Sequence, residues 1–338
     1  MTAYVAPIEA IGPSLGRSFR RDQAREEAMS EQDVLEPEPV VAATDGKWIG
    51  GISPDQPVCE MAGQVLNARL KAVHHFLPLA AEKSEEDEEY IHQLRIAVRR
   101  ADEAVRIFAR LMEESGALRD RLRQIRRAAD EARNWDVMVE RFSHGGDIPT
   151  TILEQVRARR REVQGPVAAV YREVTADACE AKLDSIVREV EAHRHGEGKR
   201  QFGRQAPKYL APVVKKFFRA AESDLTTDES LHALRIRTKK LRYTMEIVAA
   251  AFNAAFRQKL YRQVTLFQDL LGTVNDHATA SMLFRDWRSK AENAEQRAFL
   301  EGLLLAEERA VADLRVAFLA TWTPKVVSDL KRDFRAYG

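Results

Sequence analysis

The chain has few of the residues that build disulfide scaffolds, β-sheets or membrane spans. Only two of its 338 residues are cysteine, Cys59 and Cys179, and they fit no metal-ligand pattern, so we expect reduced thiols in a cytoplasmic protein. Aromatic residues make up 7% of the chain and glycines number 16, which favours helices over sheets. No apolar run approaches the roughly 20 residues of a membrane-spanning helix, and no secretion signal is expected.

Net charge is also nearly absent, at +1, but the charges are unevenly distributed. Residues 1–55 hold five basic and ten acidic residues, whereas residues 56–338 hold 48 basic and 42 acidic ones. Within residues 231–262, eight basic residues face the single acid Glu246. Such a cluster produces a positive local field whatever the total charge of the protein.

The two ranges that differ in charge also differ in pattern. Residues 1–55 are rich in Pro, Glu, Asp, Ser and Ala without any period, which predicts a disordered acidic tail in which only Trp48 and Ile49 dock. In residues 56–338 apolar residues recur three and four positions apart, which predicts one helix after another, with a break near Pro166. Long helices joined by short connections indicate antiparallel bundles.

The chain repeats itself at an offset of 140 residues. The stretch Ile-His-Gln-Leu-Arg-Ile around His92 matches Leu-His-Ala-Leu-Arg-Ile around His232. The same offset brings Asp136 onto Asp276. Because one offset fits two separate points, we infer two homologous halves. These halves are residues 59–197 and 199–337.

Each repeated helix is predicted to have a basic face and an apolar face. On a helical wheel, Arg95 and Arg99 fall beside His92, and the second helix repeats this arrangement around His232. Like charges at these spacings repel each other, so either another helix or a polyanion must supply negative charge. Arginine forks and lysines suit phosphate oxygens, and a protonated histidine adds a donor. The apolar faces comprise Leu94, Val98, Ala101, Val105 and Phe108, and Leu234, Leu241, Met245 and Val248.

The candidate polyanion ligands are residues of these two basic faces and basic residues on the segments that follow them. On the repeated helices they are His92, Arg95, Arg99, Arg106, His232, Arg235, Lys239, Arg242 and Tyr243. On the segments that come next they are Arg119, Arg123, Arg126, Lys259 and Arg262, with Arg133 further along. Asp136 and Asp276 are interpreted as structural acids that pair with a basic residue or cap a helix. A charged face that is merely solvated is the alternative interpretation.

At residues 92–100, 232–243 and 271–276 the sequence resembles the CHAD family, the conserved-histidine α-helical domain. The resemblance covers about residues 60–337 of the predicted domain, residues 56–338, and it implies two antiparallel four-helix bundles related by an internal pseudo-twofold axis. It also implies binding of inorganic polyphosphate, in some relatives on polyphosphate granules. The implied ligands are His92, Arg95, Arg99, Arg100, His232, Arg235, Lys239, Lys240 and Arg242.

The two copies of the motif are unequal. The first copy departs from the family pattern at Asp102 and Glu103, which follow its basic pair. The second copy keeps Arg242 and Tyr243 at the corresponding place. We therefore expect the second helix to be the stronger part of the binding surface.

The sequence predicts a non-catalytic polyphosphate binder that uses no cofactor or metal and contacts no membrane. Single-stranded nucleic acid is the alternative ligand, although such binders usually carry more aromatic residues than Tyr243 and Tyr261 near the basic surface. A polyphosphate-metabolising enzyme is a second alternative. It would need clustered carboxylates for Mg²⁺ or a phosphate-binding glycine loop, and we find neither. A scaffold whose acidic tail recruits a protein partner is a third alternative.

A fused enzyme domain is not expected either. In some CHAD relatives the domain accompanies a triphosphate-tunnel (CYTH) enzyme domain, which needs a Glu-x-Glu-x-Lys strand. The pairs at Glu36 and Glu38 and at Glu189 and Glu191 lack the lysine. The sequence thus resembles a stand-alone binding domain.

Overall fold

Ten α-helices follow one another along the part of the chain that the structure describes. This computed structural model describes residues 46–143, 148–176 and 179–337. The first half contains α1 (Val58–Glu82), α2 (Glu89–Ile107), α3 (Ser115–Ser143), α4 (Thr150–Ala176) and α5 (Cys179–Ala192). The second half contains α6 (Phe202–Ala221), α7 (Asp228–Val248), α8 (Arg262–Ser289), α9 (Ala294–Thr321) and α10 (Pro324–Arg335). Since these described ranges hold no strand, the predicted all-α fold is confirmed.

The two halves repeat the same order of elements. Each has four longer helices followed by a short fifth one, and 3-10 turns at Ala109–Leu111 and Ala249–Ala251 follow α2 and α7. These turns begin at positions 140 residues apart, which is the offset of the sequence repeat. The halves differ before α8, where a π-helical segment, Phe256–Tyr261, has no counterpart before α3. Residues 1–45 of the predicted disordered tail lie outside the described residues.

Polar side chains fix the points at which several helices begin. Thr227 accepts a hydrogen bond from the Ser230 amide ahead of α7, at 3.2 Å. Asn293 does the same ahead of α9, accepting from the Gln296 amide at 2.8 Å. A capping oxygen of this kind satisfies one of the amides that the first helical turn leaves without a partner.

The predicted break near Pro166 is wrong, because α4 continues through this residue to Ala176. Pro166 is exposed, whereas Val163 and Val167 on the inner side of the same turn are buried. A proline costs a helix one backbone hydrogen bond, but water can reach the carbonyl that loses its partner on an exposed face. The burial of the two valines keeps the helix continuous at this point.

The main hydrophobic core joins helices of both halves. All nine residues predicted for the apolar faces of α2 and α7 are inaccessible to solvent. α2 packs against α1, α3 and α7, so the two repeated helices also contact each other. The beginnings of the halves interlock as well: the Val58 amide donates to the Arg200 carbonyl at 2.8 Å, and the Phe202 amide to that of Gln56 at 2.9 Å.

A second, smaller core lies between the hairpin α3–α4 and the hairpin α8–α9. Trp135 and Trp287 stack with ring centroids 5.5 Å apart, and Phe142 lies 5.9 Å from Phe284. This core therefore connects the halves at a second place, and we name it the hairpin core. Its buried members are Met138, Phe142, Ile152, Val156, Ala280, Phe284, Leu300 and Leu304.

The segment before α1 is held on the bundle. Arg69 of α1, which is almost fully buried, donates to the carbonyl oxygens of Gly46 and Lys47 at 2.9 and 2.7 Å. Trp48 meets Tyr261 edge to face at 4.8 Å and lies under the guanidinium of Arg257. Trp48 thus packs locally, as its hydrophobic character predicts.

Truncating the hairpin core should destabilise the protein. We expect Phe284→Ala to lower the free energy of unfolding by about 3–5 kcal/mol, because it removes a fully buried ring and leaves a cavity. Urea denaturation followed by circular dichroism measures this change. Met282→Ala on the same helix is the control: its side chain is 69% exposed, and a change within about 0.5 kcal/mol is expected. Equal effects of the two substitutions would contradict the packing described.

Candidate anion-binding site

The structure brings seven of the predicted ligands onto one surface, which α2 and α7 form and which α3 and α8 border. The positive charges of Arg99, Arg235 and Arg95 act on Lys239 of α7, so cations of both repeated helices converge there. Asp130 of α3 contacts Arg95 and Arg99, and Asp276 of α8 contacts Arg235. We call this surface the basic face. It consists of His92, Arg95, Arg99, Arg133, His232, Arg235 and Lys239, with the acids Asp130 and Asp276.

Three guanidinium groups of the basic face have buried N–H donors without an acceptor. They are Nε of Arg99, Nη1 of Arg133 and Nε of Arg235. A buried donor without an acceptor costs about 1–3 kcal/mol, and three in one place are unusual. An anion that enters the basic face could accept hydrogen bonds from these groups.

One amine of the basic face, that of Lys239, has a strongly lowered pKa. Burial, followed by the positive charges of Arg99, Arg235 and Arg95, lowers the pKa of the Lys239 amine to about 6, although Asp276 opposes this shift. Lys239 is therefore largely neutral at pH 7 when no ligand is bound. An anion beside it would favour the protonated amine and so restore the charge.

The two motif histidines have different surroundings. Burial, together with Arg133 and Arg95, lowers the pKa of His92 to about 3, so its ring is neutral at pH 7. His232 is exposed, and its Nδ1 lies 3.1 Å from Oδ1 of Asn275. The sequence predicts a protonated histidine as a donor. For His92, protonation would require a bound anion beside the ring.

Arg100 and Arg242, which the family resemblance implies as ligands, lie inside the bundle and away from the basic face. Both donate to Glu246, a fully buried carboxylate, at 2.8 and 3.1 Å. Tyr261 donates to the same group at 2.8 Å, and Arg69 lies 3.9 Å from it. We call this cluster the Glu246 network. Its arginines already have a counter-ion, so they are not available to an external anion.

The expectation that Arg242 and Tyr243 strengthen the second helix as a binding surface is therefore not met. Tyr243 is 8% exposed, and its ring lies 4.6 Å from the guanidinium carbon of Arg242. Tyr261 is buried in the Glu246 network. Neither ring offers an open surface on which a nucleic-acid base could stack.

A second group of predicted ligands forms a separate basic patch around Lys240. The pKa of its amine is lowered by burial and by Arg106, Lys216 and Arg119, while Glu103 opposes this. Two carboxylates belong to the same patch: Glu103 accepts from Arg106 and from Thr244, and Asp102 accepts from Arg119 at 2.9 Å. These contacts explain the departure of the first motif at Asp102 and Glu103, because both acids pair with cations nearby. We name this group the Lys240 patch.

The remaining predicted ligands are scattered. Arg123 pairs with Asp120 one turn away, and Lys259 pairs with Asp333 of α10 at 2.9 Å. Arg262 is exposed, and Arg126 is half-buried one turn before Asp130. None of the four forms a hydrogen bond or an ion pair with a residue of the basic face.

Asp136 and Asp276 differ despite their equivalent places in the repeat. Asp136 is inaccessible to solvent and accepts from Arg160 at 2.8 Å, which agrees with a structural role. Asp276 is 68% exposed and lies 3.8 Å from Arg235. Asp130 was not among the predicted residues, because its partners Arg95 and Arg99 lie on another helix.

Comparison with known proteins agrees with this architecture. A model of the CHAD domain matches residues 64–285. The chain belongs to the CHAD family. Its matched range includes both repeated helices and the whole basic face.

A solved CHAD domain confirms the fold at low sequence identity, and two other proteins are similar to this chain. The crystal structure of the CHAD domain from the plant Ricinus communis is 20% identical, covers 80% of this chain and 94% of its own, and superposes with a TM-score of 0.63. PptA from Streptomyces chartreusis is 14% identical over 79% of this chain and 99% of its own, with a TM-score of 0.51. An uncharacterized protein of Mycobacterium tuberculosis, MT2285, is 25% identical over 246 residues. This alignment spans 66% of the present chain but 45% of the mycobacterial protein.

Two further findings concern only the described residues. None of the helices there is long and apolar enough to cross a membrane. Nor does that part of the chain bring three or more His, Cys, Asp or Glu residues close enough together to hold a metal ion.

The Glu246 network should be essential for stability. We expect Glu246→Gln to cost about 3–5 kcal/mol, because Arg69, Arg100 and Arg242 would lose their buried counter-ion. Denaturant unfolding at pH 7 measures this loss. Glu308→Gln is the control, since Glu308 forms an exposed pair with Arg285 and should contribute about 0–1 kcal/mol.

Acid unfolding gives a second readout of the same network. Burial raises the pKa of Glu246, but Arg100, Arg242 and Arg69 outweigh burial and leave the pKa below its ordinary value. The wild type should therefore lose this part of its stability as the pH falls below about 4.5 through the lowered pKa. The Glu246→Gln protein should lose less over that range. An equally steep acid limb in both proteins would contradict the assignment.

Proposed function

We propose that this CHAD domain binds inorganic polyphosphate on the basic face without changing it chemically. The observation that carries the proposal is the convergence of cations from two repeated helices, where three buried guanidinium donors lack an acceptor. Phosphate oxygens are strong acceptors whose spacing suits the forks of Arg99 and Arg235. A phosphate chain offers such oxygens one unit after another, so it can reach cations of both α2 and α7.

Polyphosphate fits the basic face better than a nucleic acid does. Nucleic-acid strands bound without sequence preference gain much of their affinity by stacking bases on aromatic rings. Tyr243 and Tyr261, the aromatic residues predicted near the site, are both buried. We therefore expect long-chain polyphosphate to displace bound single-stranded RNA or DNA at fixed salt, and the reverse displacement at similar concentrations would favour the nucleic acid.

The carboxylates of the basic face support binding over catalysis. Asp130 pairs with Arg95 and Arg99, and Asp276 pairs with Arg235, so each acid serves as a partner for arginine. Gel analysis of polyphosphate incubated with the protein and Mg²⁺ should show unchanged chain length. Shortening or lengthening of the chain would overturn the non-catalytic assignment. Localisation to cytoplasmic polyphosphate granules is part of the proposal, and a fluorescent fusion tests it.

Reversing two charges of the basic face should abolish binding. For Arg235→Glu combined with Lys239→Glu, we expect polyphosphate affinity to fall by at least about a hundredfold, since two charge-assisted contacts contribute about 1.5–3 kcal/mol each. Isothermal titration calorimetry measures the affinity, and circular dichroism should show unchanged helicity. The control is Arg285→Glu with Lys290→Glu, which alters two exposed cations outside the basic face. Binding that survives the first pair of substitutions would place the site elsewhere.

Polyphosphate binding should take up protons near neutral pH. The free Lys239 amine has a pKa of about 6, and adjacent phosphates should raise it, so affinity should decrease as the pH rises from 6 to 8. Calorimetry in two buffers of different ionisation enthalpy measures the uptake. Lys239→Arg keeps the charge but should remove this contribution, and His92→Asn tests for a remainder. Equal uptake by wild type and Lys239→Arg would show that another group titrates.

A further inference from the structure

We infer that a groove between α6 and the end of α10 binds an acidic, amphipathic α-helix of a protein partner. The groove has a volume of about 610 Å³, and no residue of the basic face lines it. Its floor is apolar and its rim is basic. The inference does not depend on the proposed binding of polyphosphate, because it concerns a different surface of the molecule.

The floor of the groove consists of apolar side chains on successive turns of α6. Leu210, Val214 and Phe218 follow one another at four-residue spacing, so they form a row along one side of the helix. Phe334 of α10 extends this row at its far end, where its ring centroid lies 5.9 Å from that of Phe218. The part of α6 that lines the groove, from Leu210 to Glu222, is about 18 Å long, which matches roughly three turns of a partner helix.

The rim of the groove has more positive than negative charge. Lys215 and Arg219 of α6 and Arg335 of α10 are exposed on it. Within the described part of the chain, none of these three side chains forms an ion pair or a hydrogen bond. The acid of the lining, Glu222, already pairs with Lys331 at 2.6 Å. Charge complementarity therefore calls for an occupant with carboxylates on both sides of an apolar stripe.

The internal repeat shows what covers the corresponding helix in the first half. α1 has the place there that α6 has in the second half, and α5 packs on it. The side chain of Glu191 on α5 lies against Gly63, so α5 reaches the first turns of α1. The fifth helix of the second half, α10, instead meets the end of α6, where Lys331 pairs with Glu222 and the Trp322 indole donates to the Ala221 carbonyl at 3.3 Å. The preceding turns of α6 remain open and form the groove.

α5 also shows the chemistry that such an occupant needs. Leu183 and Val190 of α5 are buried in the main core, and Ile186 and Val187 are half-buried beside them. These residues have the spacing i, i+3, i+4 and i+7 of a helix that lies in an apolar groove. α5 carries four acidic and two basic residues.

The occupant of the second half should be more acidic than α5. α1 has two basic and two acidic residues, whereas α6 has five basic residues and no acidic one. A partner helix with the apolar spacing of α5 and with glutamate or aspartate on both flanks would therefore complement α6. It would complete the second half in the way that α5 completes the first.

Fluorescence anisotropy with the full chain tests this inference. The probe is a labelled peptide of the length of α5, 14 residues, which a side-chain crosslink keeps helical. It carries leucines at the four apolar positions of α5 and glutamates on the flanks. We expect saturable binding, which should weaken at least about tenfold when lysines replace the glutamates or alanines replace the leucines. Methyl signals of Leu210 and Val214 in proton–carbon spectra should shift on binding, and those of Leu305 on α9 should not.

Charge reversal at the rim should weaken the binding of the acidic peptide. For Lys215→Glu with Arg219→Glu we expect the affinity to fall at least about tenfold, because two attractions become repulsions. The matched control is Arg204→Glu with Lys208→Glu, which reverses two exposed cations of the same helix outside the groove. It should change the affinity less than about threefold at physiological salt, where charges are screened within about 8 Å. The peptide controls give a result even if a protein variant does not fold.

Other occupants of the groove would give different results. Absence of peptide binding, or equal losses in the two charge-reversed variants, would overturn the inference, since the attraction would then not be specific to the groove. Calorimetry should show wild-type polyphosphate affinity for Lys215→Glu/Arg219→Glu, and a tenfold loss there would make the groove part of a phosphate-binding surface instead. Sedimentation should show no self-association that this variant abolishes. Such self-association would identify a second copy of the chain as the occupant and overturn the assignment to a partner.

Discussion

Repulsion among cations that the fold holds side by side is the constraint on which the rest of this structure depends. α2 and α7 pack through inaccessible apolar faces, and this packing forces Arg95, Arg99, Arg235 and Lys239 together on the other side. Burial and these positive charges lower the pKa of Lys239, and the acids Asp130 and Asp276 lie beside the arginines. The crowded positive charges lower the stability of the free protein, and a bound anion would restore part of it.

The basic residues of the two repeated helices are paired with acids in three different ways. Around Glu246, arginines from three helices meet one buried carboxylate and become part of the core. Around Lys240, Asp102 and Glu103 leave a patch that is partly neutralised. On the basic face three buried guanidinium donors have no acceptor, so its position follows from where the acids are as much as from where the bases are.

The hairpin core fixes the positions of α3 and α8, the two helices that border the basic face. Arg133 lies two residues before Trp135 on α3, and Asp276 lies four residues before Ala280 on α8. Because Trp135 stacks on Trp287 across the halves, the bordering helices are fixed close to the site. A preformed surface loses little conformational entropy when a ligand binds.

The sequence was sufficient to predict the helical fold, the repeat and the centre of the basic face. Apolar periodicity identified Leu94 and Leu234 as buried, and the same wheel placed Arg99 and Lys239 on one side. It could not show that Arg242 turns inward. That orientation depends on Glu246, which lies one turn after Arg242 and also pairs with arginines of α1 and α2.

Contacts between residues far apart in sequence explain the other differences. The pairing of Asp130 with Arg99 joins α3 to α2 over 31 positions, and no local pattern encodes it. Pro166 misled the prediction because a local preference for a break was outweighed by the burial of Val163 and Val167. In each case tertiary packing decided what periodicity left open.

The most direct test of the account is to observe the arginine donors themselves. Proton–nitrogen spectra of the guanidinium Nε–H groups, assigned with single Arg→Lys variants, report their hydrogen bonding during titration with polyphosphate. The Nε–H signals of Arg99 and Arg235 should shift and become protected from exchange, while that of Arg332 on α10 should not change. Signals of Arg99 and Arg235 that stay unchanged while polyphosphate binds would contradict it.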